Sequence, residues 1–165
     1  MIDQYIHQYS KRLYGLCLTL CANSTEADDL YQETWMKVVK NISQYDITKD
    51  FEPWLTQICV NVYRNILRRI ARSPIFNGFS SNEEKEAAIE SAPSAPPKDY
   101  RLLHEAIDRL PERFRVTIIL FYFRDMDLKA TAQALGIPVG TVKSRLSKSK
   151  KLLKEALKFE TDIPF

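Results

Sequence analysis

Gly140, Thr141, Lys143, Ser144, Arg145 and Lys148 combine small side chains with cations over one short stretch, directly after Val139. Small residues let a helix approach a surface closely, and lysine and arginine meet phosphates or base edges. Positive charge in the first turns of a helix is locally unfavourable, so a polyanionic partner explains it better than a solvated helix end does. The backbone amides of Gly140 and Thr141 are placed to meet a phosphate at the helix start. A second cationic stripe is formed by Arg64, Arg68, Arg69 and Arg72, which recur at helical spacing with Asn61 and Asn65 on nearby turns. Tyr45, Phe51, Trp54 and Tyr63 lie close to it in sequence. Arginines for phosphates, with amides and aromatic rings for unstacked bases, are the equipment for single-stranded nucleic acid. Individually these rings read as core, Trp54 above all, and Tyr45 is the least obviously structural. Asp28, Asp29, Gln32 and Glu33 make an acidic, polar surface that no DNA would favour. It reads either as ordinary charge at a helix start or as a protein-docking face, to which Met36 beside Trp35 adds apolar area.

No arrangement for catalysis accompanies these clusters. The two histidines, His7 and His104, are far apart, with no serine, cysteine or metal pattern around them. There is no phosphate loop and no GxGxxG, so neither cofactor nor metal is expected. Cys17, Cys21 and Cys59 lack metal-type spacing and read as buried free thiols of a reducing cytosol. Across 165 residues the formal net charge is only +3, so nucleic-acid affinity has to come from clustering rather than bulk charge. The start, Met1-Ile2-Asp3-Gln4, has no basic opening or long apolar run, and no stretch approaches the ~20 apolar residues of a membrane span. A soluble, cytoplasmic protein is expected.

The elements that position these residues are predicted to be helices throughout. Four glycines among 165 residues argue against a turn-rich sheet fold. Ile6, Leu13, Leu16, Cys17 and Leu20 recur near the helical period in a helix from about Ile2 to Ala22. Thr25 with Asp28 has the form of a capping box for a second helix, whose inner face carries Ala27, Leu30, Tyr31, Thr34, Val38 and Ile42. A loop around residues 43–50 leads to a third helix that begins near Pro53 and ends near Arg72. Residues 73–99 hold Asn77-Gly78 and the proline-rich Ser91-Ala92-Pro93-Ser94-Ala95-Pro96-Pro97, which read as a flexible, solvated linker. Beyond it four helices are predicted: Tyr100 to Leu110, Glu112 to Phe123 after Pro111, Leu128 to Leu135 capped by Asp127, and Val139 to about Leu157. Val116 to Phe123 is ambiguous with a strand when read alone. Gly136 ends the third of these, and Val142, Leu146, Leu153 and Leu157 make an apolar seam along the fourth. Leu135 to Leu146 thereby reads as the turn and recognition helix of a helix-turn-helix. The expected fold is all-α: a domain over residues 1–72, the linker, and a four-helix domain over residues 100–165.

Three segments resemble the extracytoplasmic-function sigma factors, the group 4 members of the sigma-70 family in bacterial RNA polymerase. Ala27-Asp28-Asp29-Leu30-Tyr31-Gln32-Glu33-Thr34-Trp35 is similar to the family's polymerase-binding helix. Phe51-Glu52-Pro53-Trp54-Leu55-Thr56-Gln57-Ile58-Cys59-Val60-Asn61, continuing to Arg68-Arg69, resembles its promoter-melting helix. Leu110-Pro111-Glu112-Arg113-Phe114-Arg115 together with Gly136-Ile137-Pro138-Val139-Gly140-Thr141-Val142-Lys143-Ser144-Arg145 resembles its fourth region. The resemblance implies that Asp28, Asp29, Gln32, Glu33, Trp35 and Met36 meet the beta and beta-prime subunits of core polymerase. It implies that Gln44, Tyr45, Asp46 and Lys49 capture a base flipped from the minus-ten element, with Asn61, Arg64, Asn65, Arg68 and Arg69 holding the strand. It further implies that Lys129, Val139, Gly140, Thr141, Lys143, Ser144, Arg145 and Lys148 read the minus-thirty-five duplex. Control by an anti-sigma factor, often membrane-anchored, is a family habit, consistent with stress-responsive transcription initiation. The chain departs from the family at Thr131, where an isoleucine is usual and whose loss would loosen packing, and at Lys129, where an acid is usual. The competing readings are an autonomous helix-turn-helix regulator that binds operator DNA as a dimer, and an adaptor whose basic helix binds acidic proteins. The acidic helix and single-strand equipment before the linker set the sigma reading apart from both.

Overall fold

The computed structural model describes residues 2–72 and 101–157. The predicted linker, residues 73–99, lies outside them, as do Tyr100 and Lys158. Two compact units divide the chain, one reaching Ala92 and the other starting at Pro93. The described residues form helices and no strand, so the fold is all-α.

In the first unit, α1 (Ile2–Leu20), α2 (Ser24–Asn41) and α3 (Phe51–Arg72) pack on one another. The predicted inner faces are buried at Leu13, Leu16, Cys17 and Leu20 on α1 and at Ala27, Leu30, Thr34 and Val38 on α2, with Leu55, Cys59 and Val62 on α3, whereas Ile6, Tyr31 and Ile42 are only half-buried. The polar member of that set, Thr34, is fully enclosed and donates its hydroxyl to the Leu30 carbonyl at 2.7 Å, so no donor is stranded. The three cysteines are buried free thiols, with Cys17 and Cys59 sulfurs 4.0 Å apart. The start of α2 differs from the capping box read at Thr25 and Asp28. Asn23 is the cap, extended at φ −148° and ψ 169°, and it accepts the Glu26 amide at 2.8 Å. The Glu26 carboxylate in turn accepts the Ala22 amide at 3.3 Å. Asparagine outranks threonine at this position, and the earlier start leaves Asp28 inside the helix.

In the second unit, α4 (Arg101–Asp108), α5 (Glu112–Ile118), α6 (Leu128–Leu135) and α7 (Val139–Ala156) surround Ile107, Leu110, Phe114, Ile118, Ala132 and the α7 seam of Val142, Leu146, Leu153 and Leu157. Ser149, also buried on that seam, satisfies its hydroxyl on the Arg145 carbonyl at 2.6 Å. The strand-like stretch is helical, but α5 widens into a π-helical turn over Ile119–Phe123, with the Arg124 amide reaching back to the Ile119 carbonyl. It ends at Phe123, and beyond its cap Arg124 the next residue, Asp125, takes a left-handed φ of 52°. Arg115 is buried at 4% side-chain exposure and pairs with Asp108 and Glu112, each at 3.4 Å. Their carboxylates remain 37% and 48% exposed, so the two acids keep much of their hydration while the guanidinium is desolvated.

The turn between α6 and α7 follows the prediction. Asp127 accepts the Ala130 amide at 2.7 Å and starts α6. Gly136, at φ 66° and ψ 35°, ends it. The Gly136 amide bonds the Gln133 carbonyl and the Ile137 amide bonds the Ala132 carbonyl, with Ile137 packed against the core beside Ala132. This is the Schellman arrangement. A Cβ at Gly136 would meet nothing within 4 Å, so the need for glycine is conformational and not steric. Gly136→Ala is therefore expected to lower stability by about 1 kcal/mol, and Gly136→Asn by less, because asparagine tolerates this region. Denaturant unfolding followed by circular dichroism checks the order. Equal loss in both variants would point to an unseen clash.

Candidate nucleic-acid and polymerase interface

The helix-turn-helix presents α7 with Val139, Gly140, Lys143, Ser144 and Lys148 exposed and Thr141 and Arg145 half-buried. Lys129 is exposed on α6. No side chain caps the start of α7, whose preceding residue is Pro138. The Thr141 amide, expected to face a phosphate, already donates to the Pro138 carbonyl at 3.0 Å, because the first turn closes on itself. That leaves the glycine as the informative position. A Cβ at Gly140 would meet nothing within 4 Å, so the free fold does not demand glycine there. Arg145 is unusual in having one guanidinium nitrogen, Nη1, buried without a hydrogen-bond partner among the described residues. Beneath α7, Thr131 is fully enclosed and its hydroxyl reaches the Met126 carbonyl at 3.4 Å. The departure from isoleucine is thus accommodated by a local hydrogen bond.

On the first unit, α2 carries the acidic residues. Asp28, Asp29 and Gln32 are exposed, and Met36 is 71% exposed with Val39 at 52% beside it. Trp35 is not part of that surface. It is 8% exposed, edge-on to Tyr31, because adjacent helical positions point about 100° apart. Its indole Nε1 has no partner among the described residues. Asp28 accepts the Tyr14 hydroxyl at 2.6 Å, a bond that raises the phenol pKa above its ordinary value. Glu33 is held by Arg69 at 3.2 Å. So one residue expected to face polymerase and one expected to face the strand meet each other. Their side chains are 38% and 64% exposed, and a pair in such surroundings contributes ~0–1 kcal/mol, too little to keep either from a competing ligand.

On α3, Asn61, Asn65, Arg68 and Arg72 form one exposed row at helical spacing. Arg68 leans on Asn65 at 3.5 Å, and Arg64 is half-buried at the row's margin. The loop before α3 begins with a 3-10 turn over Ile42–Gln44. Gln44, Asp46 and Lys49 are exposed. Asp46 accepts the Thr48 hydroxyl at 2.7 Å and the Thr48 amide at 3.0 Å. Those bonds hold its carboxyl below the usual range, the hydroxyl contributing most. Tyr45 is less solvated than its loop position implies. It packs on Phe51 and Trp54 with centroids 5.3 and 5.0 Å away, and its hydroxyl donates to the Lys49 carbonyl. Burial is the chief cause of its raised pKa. Trp54 is half-buried, whereas Phe51 and Tyr63 are buried. Two α1 residues absent from the sequence expectations, Tyr5 and Tyr9, complete this aromatic cluster around Phe51. Their only signal was an aromatic pair one helical turn apart.

No helix among the described residues is long and apolar enough to cross a membrane, and no cluster of potential metal ligands occurs among them.

The arrangement has close parallels. The family model for sigma-70 region 2 matches residues 5–73, and that for sigma-70 region 4 matches residues 100–153. The ECF RNA polymerase sigma factor SigE of Mycolicibacterium smegmatis is 29% identical, over 94% of this chain and 61% of its own length. SigW of Bacillus subtilis, another ECF sigma factor, is 27% identical over 91% of this chain and 85% of its own. Among solved structures, the sigma factor RpoE in complex with the anti-sigma factor NepR from Bartonella quintana matches with a TM-score of 0.70 at 21% identity, covering 94% of this chain and 96% of that one. CnrH in complex with the cytosolic domain of CnrY matches with the same score and identity, over 97% and 89%.

Proposed function

The chain belongs to the sigma-70 family, and from that premise we propose that it is an extracytoplasmic-function sigma factor that binds core RNA polymerase and directs promoter-specific initiation. The observation that carries this reading is the pairing, on one three-helix unit, of an exposed acidic α2 face with an exposed asparagine and arginine row on α3. An operator-binding regulator needs neither surface. Residues 1–72 dock on polymerase and engage the minus-ten strand, residues 100–165 read the minus-thirty-five duplex, and residues 73–99 tether the two. Asp29, Gln32 and Met36 meet polymerase. Gln44, Asp46 and Lys49 surround the flipped base while Asn61, Asn65 and Arg68 follow the strand. Gly140, Lys143, Ser144, Arg145 and Lys148 enter the major groove.

Two weak grips on one tether reinforce each other, since binding of the first raises the effective concentration of the second. Flipping a base requires a few kcal/mol of unstacking, which capture of the base and polymerase contacts offset. The family's members are DNA-binding regulators, and the work here is binding work with no bond made or broken by this subunit. The solved relatives carry anti-sigma partners, and control of this kind is carried over to the chain, with the protein placed in the cytoplasm. In vitro transcription with core polymerase and a promoter library tests the reading. The expected result is initiation from promoters that share minus-ten and minus-thirty-five elements. Failure to associate with core polymerase, with operator-like duplex binding retained, would establish the regulator instead.

A further inference from the structure

Tyr5 sits near the start of α1, far in sequence from the loop before α3, yet it reaches that loop. Its ring stacks on Phe51 with centroids 4.1 Å apart and planes 11° apart. It also meets Tyr45 edge-on at 6.0 Å and 89°. Tyr45 is the loop's own anchor, closing the loop through its hydroxyl bond to the Lys49 carbonyl. Within that closure the Lys49 amide returns to the Asp46 carbonyl at 3.0 Å, and Asp46 holds Thr48. The loop is therefore tied locally to itself, while its described ring contacts to α1 pass through Tyr5. Tyr9 touches Phe51, at 5.0 Å and 41°, and no ring contact between Tyr9 and Tyr45 is described. Phe51 is 4% exposed and fixed in the core, so it provides a rigid seat. Tyr5 itself is half-buried.

We propose that Tyr5 is a positioning residue for strand recognition: stacked on Phe51 and edge-on to Tyr45, which itself packs on Phe51 and Trp54, it braces Tyr45 from the α1 side, sets the height and angle of the residue 44–49 loop over α3 and so tunes which flipped base the loop accepts. The proposal rests on the reading of that loop as the base-capturing element. Tyr5 touches no DNA in this account. It acts through Tyr45, whose edge-to-face geometry with the Tyr5 ring limits how the loop can tilt.

The experiment uses full-length protein assembled with core polymerase on a promoter selected by the wild type, and on the same promoter with its minus-ten base substituted. Permanganate reactivity of the melted strand reads open-complex formation, and the ratio between the two promoters reads selectivity. Tyr5→Ala is expected to reduce that ratio about 3- to 10-fold, the range that loss of one or two aromatic pairs supports. Tyr5→Phe, which keeps the ring, restores it. Core association and minus-thirty-five duplex binding stay at wild-type levels. If Tyr5→Ala lowers the melting temperature, Tyr5→Leu keeps apolar bulk without the ring and carries the same comparison. Tyr45→Ala separates the two ideas. Selectivity lost in Tyr45→Ala but kept in the Tyr5 variants overturns the role of Tyr5 alone. Selectivity kept in both overturns the base-capture reading and the proposal with it. A loss of equal size on both promoters also overturns it, because that is what a purely structural role produces.

Discussion

Replacing Asp29 and Gln32 together by alanine is expected to weaken association with core polymerase by about 10- to 100-fold, the loss typical of central interface residues. The pair is chosen because of how its neighbours are engaged. Asp28 is bonded to Tyr14 and shapes a groove of about 440 Å³ with Ser10, Lys11, Tyr31 and Gln32. Removing its carboxylate therefore disturbs α1 packing as well as the surface. Glu33 is paired with Arg69, so its loss would also alter a residue proposed to face DNA. Asp29 is exposed on the same helix, and no side-chain hydrogen bond or ion pair is described for it or for Gln32. The double substitution consequently changes the surface with little effect on the fold. Fluorescence anisotropy with labelled protein and core polymerase measures the effect, and an unchanged thermal melt with unchanged duplex binding confirms its locality. Wild-type association would move the docking site to the apolar part of the helix, Met36 and Val39.

Local signals made much of the architecture legible before any tertiary information. Asp127 and Gly136 bracket α6 because a carboxylate cap and a left-handed glycine are properties of a few adjacent residues. The apolar seam of α7 was legible for the same reason, since Val142, Leu146, Leu153 and Leu157 repeat at the helical period. Signals with two local solutions were less secure. Asn23 with Glu26 and Thr25 with Asp28 share one spacing, and only the extended backbone at Asn23 decides between them. Trp35 was misplaced because sequence adjacency to Met36 is not surface adjacency on a helix. Long-range meetings were not legible at all. Glu33 and Arg69 are 36 residues apart, Tyr5 and Tyr45 are brought together by α1 and α3, and Arg115 is buried by packing rather than by any pattern around it. The candidate surfaces were therefore readable by residue type. Which members of each surface are already engaged with the protein itself was not.

Arg145 shows what that difference changes. A basic residue on a recognition helix is ordinarily an exposed cation, and its removal weakens binding by the value of one contact. Here Nη1 is buried without an acceptor among the described residues. A guanidinium carries five N–H donors, and leaving a buried one unsatisfied costs about 1–3 kcal/mol. The free protein therefore holds that nitrogen in an unfavourable setting, which a duplex acceptor relieves only if the guanidinium turns outward on binding. Arg145→Ala is expected to reduce affinity for the minus-thirty-five duplex by about 5- to 150-fold, corresponding to ~1–3 kcal/mol for a base contact. The melting temperature of the free protein should not fall. Arg145→Met, which keeps the aliphatic stem that packs below the guanidinium, should raise it while losing the same affinity. Lys148→Ala provides the contrast. Its exposed ammonium suits a phosphate, so binding should weaken uniformly across sequences and the salt slope should fall by about 1. Duplex titrations at several salt concentrations, on the selected promoter and on one substituted in its minus-thirty-five element, separate the two behaviours. If Arg145→Met lowers the melting temperature and leaves sequence preference intact, the guanidinium serves the fold, and base reading passes to Lys143 and Ser144.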